Sequence, residues 1–173
     1  MEAFLEILKY SLPALLVVLI TYLMLSNFVD NEEKRRTYLL RRETRKASLS
    51  YKLQAYERMA LFLERITPSS LLVRVQSGSL NVRDYHALLL KSVRDEFEHN
   101  LSQQIYLSDD AWRQVVHAKS ATVGILNKLV QECNPQDPGV KFSTKVLNYA
   151  MELETFPTRQ ALNFIKAELR TEL

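Results

Sequence analysis

The sequence predicts an all-α protein: an N-terminal transmembrane helix continuing into a stalk helix, then a cytoplasmic helical bundle of about four to five helices. Three observations carry this. Residues 10–29 (YSLPALLVVLITYLMLSNFV) contain no charged side chain. Downstream, apolar residues recur at helical spacing and no convincing strand is found. Glycine occurs only three times in 173 residues, which disfavours both disorder and turn-rich β folds. The chain therefore divides into a tail and span (1–29), a basic juxtamembrane stalk (30–48) and a bundle domain (49–173).

A bilayer core needs about 20 apolar residues as helix, and the uncharged run is long enough to cross it. Pro13 costs a backbone hydrogen bond, which spanning helices tolerate near an end. A cleaved signal peptide would have a basic start, a shorter apolar stretch and a small-x-small cleavage site. Here the start is MEAFLEILK and the run ends in Leu25, Ser26, Asn27 and Phe28, so the span is expected to stay. Lys34, Arg35, Arg36, Arg41, Arg42, Arg45 and Lys46, with Lys52 beyond them, face a front that carries only Lys9 and the amino terminus. The positive-inside rule then puts the amino terminus outside and the domain in the cytoplasm. The same basic residues attract anionic lipid head groups without specificity.

The net charge of +3 belongs to this anchor. From Leu53 onward there are 14 basic and 14 acidic side chains, so the domain is neutral. A nucleic-acid reader carries a basic patch on its folded part, and no nucleic-acid partner is expected. With 47% apolar and 25% charged residues the domain reads as an ordinary globular chain. The single Cys133 cannot form an internal disulfide, fits a reducing compartment and reads as a small half-buried side chain at a helix end.

The stalk from Asp30 to Lys46 is polar on nearly every face, and such a helix needs outside support. Leu49, Leu53, Tyr56, Ala60 and Leu63 then fall at 4-3-4-3 spacing, a seam for helix packing or for self-association. Ala55, Met59, Phe62 and Ile66 widen it enough to enter a bundle core. Thr67 and Pro68 end the helix, because a residue before proline is pushed out of the α region. PSSLLVRVQSGS reads as a short helix or turn between Pro68 and Gly78; VRV could be a strand but has no second strand to pair with.

Asn81 resembles an N-cap with Asp84 in the first turn of a helix running to about Gln104. Tyr85, Leu89, Val93, Phe97 and Leu101 form its apolar face. Ser108 caps the next helix, with Trp112, Val115, Val116, Val123, Leu126, Leu129 and Val130 as its stripe and Asn134–Pro135 as its stop. NPQDPG is the clear loop of the domain. Ser143 opens a shorter helix with Val146, Leu147, Ala150 and Met151 inward; Pro157 breaks it, and Thr158 to Leu173 closes the chain with Leu162, Ile165 and Leu169. Trp112, Tyr51 and Tyr56 read as core or bundle-edge aromatics.

LQAYERMALFLERITP (53–68) and RDEFEHNLSQQIYLSDDAW (94–112), together with the LPALLVVLITYLML span, resemble a family of small membrane-anchored helical proteins of no established function from Bacteroidota bacteria. The likeness covers most of the chain. It implies a bacterial inner-membrane setting and brings no activity or residue role.

Chemistry-bearing residues are few. Glu96, His99, Asn100 and Gln103 fall at i, i+3, i+4 and i+7, one polar helix face that suits a partner contact or plain solvation. Glu96 and His99 match Glu-x-x-His, which supplies two ligands in di-iron bundles, but such a site needs a second Glu-x-x-His and two further glutamates. Three residues before His86 and His117 stand Arg83 and Gln114, so no metal site and no cofactor are expected. Glu57, Arg58, Glu64 and Arg65 are placed for salt bridges within or between helices. There is no Gly-rich phosphate loop, G-x-S-x-G, Cys-x-x-Cys or Asp-rich calcium loop.

The expected function is that of a non-enzymatic single-pass inner-membrane protein. Its cytoplasmic bundle serves as an interaction or scaffold module for another membrane or cytoplasmic protein, or for itself, as in an accessory subunit of a membrane complex. The alternative is a membrane-bound enzyme or metal-binding helical protein centred on Glu96 and His99.

Overall fold

The computed structural model describes the backbone of residues 2–172 and the side chains of residues 15–171. Among the described residues it contains six α-helices: α1 (Glu2–Ile66), α2 (Pro68–Arg74), α3 (Val82–Asn100), α4 (Asp109–Gln131), α5 (Gly139–Glu152) and α6 (Pro157–Glu172). A 3-10 turn, Leu101–Tyr106, follows α3. The chain is all-helical, and the one β-bridge among the described residues is the isolated pair Asn81 and Pro138.

Two compact units result, Met1–Leu49 and Ser50–Leu173. In the first, every described side chain from Leu15 to Leu49 is exposed. Lys34, Arg35, Arg36, Arg41, Arg42, Arg45 and Lys46 are all on its surface, with Arg35 in loose ion-pair reach of Glu32 at 3.9 Å. Pro13 and Lys9 have side chains outside the described residues.

The second unit is the bundle, and its core follows the helical stripes. The last turns of α1 bury Ala55, Tyr56, Met59, Phe62, Leu63 and Ile66, and α3 buries Val82, Tyr85, Leu89 and Val93. Helix α4 packs on α3, α5 and α6. Its buried line is Ala111, Val115, Ala118, Thr122, Leu126 and Leu129. Val115, Leu126 and Leu129 of the expected stripe are on that line, and its other half is small or polar and went unread. Trp112, Val123 and Val130 pack at the margin. Thr122 can be buried because its hydroxyl donates to Ala118 O at 2.9 Å, leaving no orphan polar group.

The predicted seam is used inside the bundle: Tyr56 and Leu63 are core residues, Leu53 and Ala60 are half-buried, and Leu49 is exposed. The buried members are therefore not surface that a second copy could reach. Tyr56 donates to Glu168 Oε1 at 2.6 Å, and Tyr51 stacks on Tyr106. Phe97 lies between Phe62 and Trp112, with Lys119 Nζ 4.3 Å from its ring centre.

Both expected N-caps form: Asn81 Oδ1 accepts from Asp84 N at 2.9 Å and Ser108 Oγ from Ala111 N at 3.0 Å. Helix α3 needs more, since the first N–H groups of a helix have no partner within it. The NPQDPG loop supplies them: Asp137 O accepts from Val82 N at 2.8 Å and Pro135 O from Arg83 N at 3.3 Å. In return Gly139 N donates to Leu80 O at 2.8 Å. This exchange starts α5 at Gly139, four residues before the expected Ser143.

The earlier start also corrects which face of α5 is inward. Gly139, Phe142 and Val146 are buried, whereas Leu147 is 37% and Met151 73% exposed. At about 100° per residue, Leu147 stands roughly a third of a turn and Met151 nearly half a turn away from the line through Phe142 and Val146. Two more expectations shift. Helix α3 stops at Asn100, not near Gln104, and the 3-10 turn leaves Leu101 42% exposed instead of inward. The segment read as a short helix or turn is a short helix, with Val73 and Arg74 completing α2.

Candidate functional site

The break at Thr67–Pro68 separates α1 from α2, and the last turns of both helices, carrying Arg65 and Arg74, reach Glu96 in the C-terminal part of α3. A cation in the last turn of a helix is favoured by the partial negative charge there. Both guanidinium groups converge on Glu96. Arg74 Nη1 donates to Glu96 Oε2 at 3.3 Å, and Arg65 Nε lies 3.3 Å from that same oxygen. The Glu96 side chain is only 11% exposed, against 40% for Arg65 and 33% for Arg74. A largely buried carboxylate is tolerated when paired, and here it fixes two arginines at once.

Around this node lie two open grooves. One, of about 550 Å³, is lined by Arg65, Arg74, Lys91, Asp95, Glu96 and His99, with Val75 and Leu88 as apolar wall. The other, of about 650 Å³, shares Arg65, Glu96 and His99 and extends along α1 past Glu57, Arg58 and Leu61 toward Lys166. Arg65, Glu96 and His99 form the wall common to both. Glu64, beside the second groove, is in ion-pair reach of Arg159 at 3.8 Å.

The predicted polar face is therefore only partly a face. Glu96 turns toward the arginines, and His99 is exposed beside it in the grooves. Asn100 is buried, 6% exposed, with its Nδ2 donating back to Glu96 O at 2.8 Å. Gln103 belongs to the 3-10 turn and donates to Ser102 Oγ at 3.4 Å, because the change of helix type at Leu101 breaks the i+7 relation. Among the described residues no three or more His, Cys, Asp or Glu side chains are grouped closely enough to hold a metal ion. Arg74 and Lys91 went unmarked in the sequence. A basic residue in the last turn before a helix break was the available signal for Arg74; nothing local marks Lys91.

The other histidines lie elsewhere. His86 Nε2 is 3.0 Å from Asn127 Oδ1, with its ring edge-on to Phe142. Burial holds its pKa below the usual imidazole value, partly countered by the Asn127 hydrogen bond. Burial likewise raises the Tyr85 pKa, countered in part by a hydrogen bond with Ser143; the Tyr85 hydroxyl donates to Val75 O at 2.7 Å. Cys133 is half-buried at the end of α4, its thiol directed at Leu129 O.

Fold and site together define a class: an all-helical chain whose N-terminal helix is long and apolar enough to cross a membrane, followed by a bundle with an ion-pair node at its surface. Within that class, the chain matches the sequence model of a family of unknown function, DUF7935, over residues 2–172, and it belongs to that family. No curated protein and no solved structure matches it.

Proposed function

We propose that this chain is a single-span protein of the bacterial inner membrane, with its amino terminus outside and its helical bundle in the cytoplasm as a non-enzymatic protein-interaction module. The partner is another membrane or cytoplasmic protein, or a second copy, and the role is that of an accessory subunit of a membrane complex. One observation carries the anchoring: the apolar side chains from Leu15 to Val29 range from 50% exposed at Leu16 to 74% at Met24, with none buried. So long a stretch of open hydrocarbon surface is unfavourable in water and suited to a bilayer. The one-sided basic run supports the orientation. The bundle's neutral charge and open grooves support recognition of a protein rather than a nucleic acid.

Fractionation tests the first part: the full chain should remain with the membrane after alkaline carbonate extraction. Fusions of a reporter active only outside the inner membrane should be silent at the C-terminus, and release by carbonate or an active C-terminal reporter would overturn the reading. Crosslinking at native expression level tests the module, which predicts a defined complex; a strictly monomeric chain without stable partners contradicts it.

A further inference from the structure

The geometry points to the groove at Arg65 and Arg74 as the place where the bundle captures a carboxylate of an acidic protein segment. This rests on the interaction-module reading and names the chemistry of its partner. The first argument is a surplus of donors. A guanidinium offers five N–H groups. Arg74 spends one on Glu96 Oε2 and one on Arg65 O at 3.5 Å, whereas Arg65, though in ion-pair reach of Glu96, donates no side-chain hydrogen bond among the described residues. Its guanidinium lies beside Glu96 with its donors unspent.

The second argument is charge. Arg65, Arg74 and Lys91 share the groove lining with Asp95 and Glu96, a surplus of one formal positive charge among these side chains. A single carboxylate balances this. A polyanion such as nucleic acid would meet Asp95 and a domain with equal numbers of acidic and basic side chains from Leu53 onward. The third is preorganisation: Glu96, its side chain 11% exposed, pairs with both guanidiniums, so part of their side-chain freedom is already lost before a further anion binds. Val75 and Leu88, the latter 39% exposed, give an apolar wall for the residues flanking the carboxylate, which a free ion would not use.

The experiment uses the full chain in mild detergent and a fluorescent peptide of alternating glutamate and leucine, with a glutamine–leucine peptide as control. At low salt the glutamate peptide should bind about tenfold more tightly than its control, as for charge-assisted hydrogen bonds to a fixed fork. Combined Arg65→Gln and Arg74→Gln should abolish that preference, and Arg65→Lys should lose most of it by removing the fork while keeping the charge. Arg113→Gln, on the exposed side of α4, should leave it unchanged.

Equal binding of both peptides would overturn the proposal, as would a preference that survives the double substitution in a chain of unaltered helicity. Displacement of the peptide by inorganic phosphate at matching affinity would also overturn it and assign the groove to the free ion. If the double variant does not fold, the exposed Lys91→Gln and the charge-conserving Arg65→Lys carry the test, and undiminished preference in both would refute it. A crosslinked complex that forms equally well in the double variant rejects this groove yet leaves the module standing, whereas absence of any complex in the natural chain sinks the module itself.

Discussion

Tyr56, near the end of α1, donates its phenolic hydrogen to Glu168 of α6 at 2.6 Å, joining residues 112 apart in the sequence. The other carboxylate oxygen, Glu168 Oε2, is buried with no hydrogen-bond partner among the described residues. The Tyr56 hydroxyl is thus a hydrogen-bond partner of this half-buried carboxyl group, and hydrogen bonds to charged groups are worth more than neutral ones.

Tyr56→Phe should therefore destabilise the bundle by about 2 kcal/mol, through the carboxylate left behind as much as through the lost bond. Glu168→Gln retains an acceptor and removes the charge, and should cost less. Urea denaturation of the two variants followed by circular dichroism checks the order; equal stabilities for Tyr56→Phe and the natural chain would contradict it.

Two glycines in helices should respond to alanine with opposite signs. At Gly139 a Cβ would meet Leu80 O at 3.0 Å, Ser77 Cβ at 3.0 Å and Tyr85 Cβ at 3.1 Å, in the contact that ties α5 to the start of α3. Crowding there should cost about 1–3 kcal/mol and outweigh the helix-propensity gain. Gly124, exposed on α4, has nothing within 4 Å of such an atom, so alanine should stabilise by about 0.5–1 kcal/mol. Thermal unfolding of both variants gives the comparison.

Acid should weaken the bundle partly through His86. Its folded pKa is lowered, chiefly by burial beside Phe142. The unfolded chain therefore takes up this proton first as pH falls below about 6.5, and stability declines from there until the folded pKa is passed. Its contribution is fully present at higher pH. His86→Gln, which keeps a hydrogen-bonding side chain, should flatten that part of the thermal midpoint against pH; an unchanged profile between the two chains would reject the assignment.

Placing a charge mid-span should interfere with anchoring. Leu19→Arg adds a guanidinium near the centre of the apolar run, at a cost of about 3 kcal/mol for insertion. The membrane-retained fraction should fall relative to Leu19→Ile, and equal retention of the two would count against residues 10–29 as the span.

The sequence by itself determined the helices, their caps at Asn81 and Ser108, and the break at Thr67–Pro68. These are local events, fixed by side-chain oxygens reaching neighbouring N–H groups and by proline geometry. It also determined the uncharged run and the asymmetric basic shoulder, which need only counting. What it could not determine is what depends on partners distant in the chain. The start of α5 was set by Gly139 N reaching Leu80 O, so Leu147 and Met151 ended outside. The inner line of α4 was set by the close packing of Ala111, Ala118 and Thr122, residues a hydropathy pattern passes over. Only the tertiary structure brought Arg65 and Arg74 onto one oxygen of Glu96, because the placement of α3 against α1 and α2 is a product of core packing. A polar face read along one helix thereby became a charged groove built from three.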